Sequence, residues 1–222
     1  MKKNKTIKSV KNKSEDFDSV QMTPLSGEIL KLLEQQMAEE YKEALFYLQQ
    51  TVYFERVGLT GFSKWCKNHY TEELSHATAI MNYLLARGVN ARISNVIVID
   101  KTFHDAGSIF EAMLALEVSS TGTINNIHRK SLALNDHETL SFVQTLIKKQ
   151  IDEEYLLAKL VKRIRFVKQD PTALLNIDQE LEASTINEGV ISANYRVLNS
   201  SAKAVGVFGS SALSYVGASN DL

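Results

Sequence analysis

From Ser26 to Lys168, apolar residues recur every three or four positions in four long runs, the spacing of amphipathic helices rather than strands. The pattern predicts helices over about 26–56, 60–87, 106–135 and 137–168. At a rise of ~1.5 Å per residue each spans about 40–48 Å. A short Val57-Gly58-Leu59 turn makes the first two helices antiparallel neighbours, and the join near Asn135-Asp136 is short as well. The stretch between the second and third helices is longer, Gly88 to Gly107, and carries the β-type run Val96-Ile97-Val98-Ile99. Such a connection travels the length of a bundle and returns the chain to the same end. Asp170-Pro171 closes the fourth helix, because the residue before a proline disfavours the α region. An amphipathic piece at about 172–186 predicts a short fifth helix. The expected fold is therefore all-α: a four-helix bundle with one long crossover and a short C-terminal helix.

The inward seams of these helices are not purely apolar. The first presents Leu30, Leu33, Met37, Glu40, Ala44, Tyr47, Thr51 and Phe54. The second presents Phe62, Cys66, His69, Glu73, His76, Ile80 and Tyr83, and the third Phe110, Met113, Glu117, Ser120, Ile124 and Ile127. The fourth presents Val143, Leu146, Gln150, Glu153, Leu157, Leu160 and Ile164. Each seam is apolar at its ends and carries a carboxylate near its middle.

Composition narrows the setting. A chain of 222 residues forms one good-sized domain, and 10 Gly with 2 Pro favour long helices over a many-turned β fold. Residues 1–24 are polar and lysine-rich and read as a flexible tail; 25–186 form the domain; 187–222 are a Ser/Ala/Gly-rich tail. A net charge of -1 gives no reason to expect nucleic acid as a partner. The six lysines of the first thirteen residues precede no signal-peptide core, and no apolar run approaches the ~20 residues that span a bilayer. Cys66 is alone, so no intrachain disulfide is possible. The expectation is a cytoplasmic protein with no membrane partner.

An unpaired carboxylate in a bundle core costs several kcal/mol or takes up a proton. Four on four facing seams, with no lysine or arginine at these middle positions, call for a counter-charge. Two divalent cations supply it against Glu40, Glu73, Glu117 and Glu153. Glu73-x-x-His76 puts two ligands on one helical face, and Gln150-x-x-Glu153 does the same on the opposing helix. The set is rich in oxygen, with one imidazole and no thiolate, which suits Fe²⁺ or Mn²⁺ better than structural zinc.

These residues resemble the non-haem bacterial ferritins. Gln36-Met37-Ala38-Glu39-Glu40 with Tyr47 resembles that family's first-helix motif, and Glu72-Glu73-Leu74-Ser75-His76 its second. Glu117 falls at the third-helix glutamate, and Gln150-Ile151-Asp152-Glu153 resembles the fourth-helix Gln-x-x-Glu. Ile177-Asp178-Gln179-Glu180-Leu181 resembles the start of a fifth helix, so the likeness covers about residues 26–182. The resemblance implies a ferritin-like di-iron domain and an iron-storage protein with ferroxidase activity. Glu40 and His76 would hold the first iron and Glu73 would bridge. Glu117 and Glu153 would hold the second, with Gln150 bonding a bound water or oxygen species. Tyr47 would anchor a carboxylate or give up an electron. Two irons per subunit would be oxidised from Fe²⁺ to Fe³⁺ by O2 or H2O2, and mineral would be stored in a 24-subunit cage.

Haem is not expected. A bacterioferritin would carry Glu-x-x-His on the fourth helix and a methionine after the second-helix glutamate, where this chain has Gln150-x-x-Glu153 and Leu74. One departure concerns a third iron site flanking the centre. Glu72 and Asp152 occupy two of its positions, but Lys149 stands where an acidic residue is expected and should weaken it. His69 reads as a core or near-site histidine, His104, His128 and His137 as surface residues, Cys66 as a buried hydrophobe and Trp65 as packing. Two other readings fit the same seams. One is a ferritin-like di-iron or di-manganese oxidase or peroxidase that stores nothing. The other is a structural protein whose buried carboxylates are protonated and bind no metal.

Overall fold

The computed structural model describes residues 23–168 and 170–184, and the two expected tails lie largely outside this range. Five helices follow in order: α1 Gly27–Val57, α2 Thr60–Ala86, α3 Ala106–Ala133, α4 His137–Val167 and α5 Pro171–Ser184. Each boundary falls within about two residues of the expected one, and the cause is local chemistry. Ser26 Oγ caps α1 by accepting from Ile29 N–H at 3.1 Å. Asp105 Oδ1 caps α3 at Ser108 N–H (2.8 Å), and Asp136 Oδ1 caps α4 at Thr139 N–H (2.9 Å). Gly58 ends α1 at φ 79°, a left-handed position that favours glycine. Pro171 opens α5 rather than merely closing α4, with Asp170 Oδ1 accepting from Ala173 N–H at 3.0 Å.

Two apolar clusters fix the directions of the helices. One gathers Phe54, Phe62, Phe110 and Ile164, from the end of α1, the start of α2, the start of α3 and the end of α4. The other gathers Leu33, Leu84, Ile127 and Val143 from the opposite ends of the same helices. Hence α1 is antiparallel to α2 and α3, while α2 and α3 are parallel and joined by a connection that crosses the whole bundle. Residues 89–104 make that connection in extended chain laid along α1. Arg92 N–H donates to Glu34 near its start (2.9 Å), and Phe103 packs edge-on against Phe46 further along (5.8 Å). The β-type run Val96–Ile99 forms no strand, because among the described residues no second strand lies beside it to take its backbone bonds.

α5 completes a helix end that its own residues leave open. Leu59 caps α2 with no side-chain bond, but Asp178 Oδ1 of α5 accepts from Phe62 N–H at 2.8 Å. Asp178 is buried there, against the positive end of α2. Gly61 permits the approach: a Cβ on it would lie 1.8 Å from the Asp178 carbonyl oxygen. At the far end of α2, Arg87 donates to Tyr83 (2.5 Å) and to Asp136 (2.9 Å), tying α2 to the start of α4.

Candidate metal centre

Between the two apolar clusters lies a layer of buried polar residues: Gln36, Glu40 and Glu43 from α1, Glu73 and His76 from α2, Glu117 and Ser120 from α3, Gln150 and Glu153 from α4. All are less than a tenth exposed, and no lysine or arginine is buried among the described residues. Four helices thus deliver acids to one level of the bundle, as their seams predict.

Glu40, Glu73 and His76 converge, each offering a ligand atom, with these atoms all within 4.8 Å of one another. His76 Nδ1 lies 3.1 Å from Glu73 Oε2 and 3.6 Å from Glu40 Oε2, and His76 Nε2 lies 3.4 Å from Glu153 Oε1. Glu117 and Glu153 are joined by the Gln150 amide, whose Nε2 donates to Glu117 Oε2 at 3.2 Å and to Glu153 Oε2 at 2.8 Å. Thr121 fixes that amide by donating to Gln150 Oε1 at 2.7 Å. Gln36 plays the matching part on the other side, donating to Glu40 Oε1 at 2.7 Å and to Ser120 Oγ at 2.8 Å. The Thr123 hydroxyl bonds to the Gln36 carbonyl oxygen and holds the amide that way round. Tyr47 donates to Glu117 Oε1 at 2.7 Å.

This layer is under electrostatic tension. Burial, reinforced by the neighbouring acids, pushes Glu43 and Glu73 well above the usual carboxylate range. Burial raises Glu117 as well, and takes Glu153 up to about 8. Burial alone would lower His76, but Glu40, Glu73 and Glu153 outweigh it and carry the imidazolium up to about 11. One imidazolium cannot balance so many acids. Several ligand atoms are left over: Glu40 Oε2, Glu73 Oε1, His76 Nε2 and Glu153 Oε1 are all shielded from solvent without a hydrogen-bond partner. Such orphans are rare in folded proteins. Here they share one small volume, and a cation is the group that satisfies all of them at once.

The other expected residues fall as follows. His69 is buried, stacked on Tyr47 (5.3 Å) with the Trp65 ring tilted against it (3.8 Å), and burial lowers it to about 4. Cys66 is fully buried in the apolar cluster. His104 and His137 are exposed and His128 half-buried. Lys149 stands at the rim, about half exposed, and donates to Glu72 Oε1 at 3.2 Å. Asp152 is exposed.

On α1 the buried polar residues extend beyond the expected seam: Gln36, part of the first-helix motif but not of that seam, is buried in the layer. Glu43 and Gln50 are buried, and Ile29 takes the place expected of Leu30. α1 packs against both α2 and α3, so its covered face is wider than a single seam. A stripe drawn at two positions per turn around α1 would have found Glu43. Thr121 and Thr123, which orient the two amides, carry no signal that separates them from surface threonines.

Residues 30–167 match the family model described as "Ferritin-like domain". The chain is 27% identical to a probable bacterial non-heme ferritin-like protein of Haemophilus influenzae, over 71% of this chain and 95% of that one. It is 27% identical to a bacterial non-heme ferritin of Staphylococcus aureus, over 74% and 99%. Among solved structures it is similar to an open pore ferritin of the archaeon Archaeoglobus fulgidus, at a TM-score of 0.69 and 28% identity, over 71% of this chain and 98% of that one.

Proposed function

The chain belongs to the ferritin-like domain family, and from that premise we propose that it is an iron-storage protein with ferroxidase activity. One observation carries the reading: four shielded ligand atoms without hydrogen-bond partners, from α1, α2 and α4, at one level of the bundle. The family relationship supports iron as their cation, and the oxygen-rich donor set with one imidazole fits that metal. Iron is here the substrate. Glu40 and His76 bind the first Fe²⁺, Glu73 bridges, and Glu117 with Glu153 bind the second. Gln150, held by Thr121, presents its amide to the second ion's ligands. Each pair of Fe²⁺ gives two electrons to dioxygen, with two protons taken up to form peroxide, or to peroxide, forming water.

Glu72 is engaged by Lys149, so the carboxylates that would collect a third ion are one short. Self-association into a 24-subunit cage is the storage half of the proposal. It is supported by an apolar strip on the outer side of α1 and the crossover, where Leu48, Val52, Ile97 and Val98 are all more than a third exposed. The free, buried Cys66 supports a reducing, cytoplasmic setting, and none of the described helices is long and apolar enough to cross a membrane.

Loading the protein with Fe²⁺ in air and sizing the particles tests storage. The proposal expects a large hollow assembly holding far more iron than its centres can. A small oligomer whose iron stops at the centres would make it a non-storing oxidase of the same fold.

A further inference from the structure

The polar layer holds one carboxylate more than the four seams predict. Glu43 lies one turn after Glu40 and one turn before Tyr47 on α1, and it is 1% exposed. Its Oε2 is shielded from solvent and has no hydrogen-bond partner. The adjacent Lys42 pairs with Glu39 and makes no hydrogen bond to Glu43, although its charge is felt there more weakly than those of the acids. Three residues of α-helix turn the side chain by about 60° from Glu40. That is the side of α1 on which Gln36 reaches Ser120 of α3. The charges that bear on Glu43 most strongly are Glu40, Glu117 and Glu73, all within the centre.

A shielded, unbonded carboxylate oxygen is costly unless a charge faces it. Among the described residues no lysine or arginine is buried beside it from α2, α3 or α4, whose groups at this level are Glu73, His76, Glu117, Gln150 and Glu153, and the one imidazole is taken up by Glu40, Glu73 and Glu153. We propose that Glu43 is a fifth carboxylate ligand of the centre, entering from α1 on the Glu117 side and binding the cation that Glu117 holds. This rests on the di-metal reading above. The added negative charge bears on the balance of oxidation states: it favours trivalent over divalent ions at the centre.

Co²⁺ is a suitable probe because its visible d–d absorption reports the atoms bound to it, independently of any iron oxidation. The apoprotein, E43Q and E43D would each be titrated with Co²⁺, following ions bound per chain and the d–d bands. Wild type should bind two ions. E43Q keeps the shape of the side chain and removes a buried charge, so the metal-free fold should survive. It should retain one tight ion, lose at least about tenfold in affinity for the other, and show altered d–d bands. E43D, which keeps the carboxylate on a shorter arm, should recover part of both. If E43Q does not fold, E43D alone decides: altered bands support the proposal and wild-type bands overturn it. Two ions in E43Q with wild-type affinities and bands would overturn the role of Glu43 and leave the centre standing. No Co²⁺ bound by wild type would overturn both.

Discussion

The hydroxyl of Tyr47 on α1 donates to Glu117 Oε1 on α3 at 2.7 Å, so a residue of the apolar cluster anchors a carboxylate of the polar layer. Burial and the nearby acids hold the Tyr47 phenol well above its ordinary range, which keeps the proton on the tyrosine and the donor in place. Y47F removes the donor and leaves Glu117 with a free acceptor in a dry site. The expected cost is about 1–3 kcal/mol of stability in the metal-free protein. Iron binding should persist at the Glu40–Glu73–His76 side and weaken at Glu117. Thermal melts with and without Fe²⁺ check both halves.

The metal-free protein should become less stable as pH rises from about 5 to 9. Glu153 has its folded value raised from 4.5 to about 8 by burial. The folded state therefore holds its proton more tightly, and the stabilisation is lost as pH climbs from the unfolded value through the folded one. His76, raised from 6.5 to about 11 against the pull of burial by Glu40, Glu73 and Glu153, acts in the same direction: its contribution is full below 6.5 and lost as pH rises towards 11. Divalent cations need these groups deprotonated, so the stabilisation by Mn²⁺ or Co²⁺ should grow over the same range. Melting temperatures against pH, with and without metal, give two curves that should diverge upward in pH. Parallel curves would mean that no metal competes with these protons.

Lys149 bonds to Glu72 at the rim, on a carboxylate that also approaches the ligand atoms of His76 and Glu153. The ion pair is exposed, so K149A should change stability by less than about 1 kcal/mol. It frees Glu72, whose ligand atom lies within 4.8 Å of those of His76 and Glu153, and K149E adds a carboxylate at the rim. The expected outcome is an additional weakly bound Fe²⁺ per chain in K149E, with altered kinetics after the first oxidation. Stopped-flow oxidation at increasing iron-to-chain ratios would detect it, and identical traces for wild type and K149E would exclude a site there.

G61A should displace α5. The added Cβ would meet the Asp178 carbonyl at 1.8 Å, and the atom in its way is backbone, which cannot swing aside. The loss includes the bond from Phe62 N–H to Asp178 Oδ1 and should amount to about 1–3 kcal/mol. Faster hydrogen exchange at the first turn of α2 and throughout α5, with the rest of the bundle unchanged, is the expected signature.

The helices and the middle acids were legible because they obey one period. Glu73 and His76 sit three apart on a face whose ends are apolar, and a buried carboxylate stands out against Phe62 and Ile80. The crossover was legible by length, and its Val96–Ile99 run stays extended without becoming a strand, since β propensity forms a strand only beside a partner and α1 offers none. Glu43 was missed because Glu39, Glu40 and Glu43 look alike in sequence. Which of them is buried depends on α1 meeting two neighbours at once. The capping of α2 by Asp178 was illegible for a related reason: the residues concerned are more than a hundred positions apart, and nothing local in Leu59 announces the missing cap.

The central claim is that the buried acids of four helices gather a pair of Fe²⁺ ions and oxidise them. Anaerobic titration of the apoprotein with Fe²⁺, followed by oxygen and a reading of ferric absorbance per chain, tests it most directly. The expected result is a fast phase that saturates at about two irons per chain and disappears in H76A and E73A, followed by slow uptake of many more. No fast phase in the wild-type protein would contradict it.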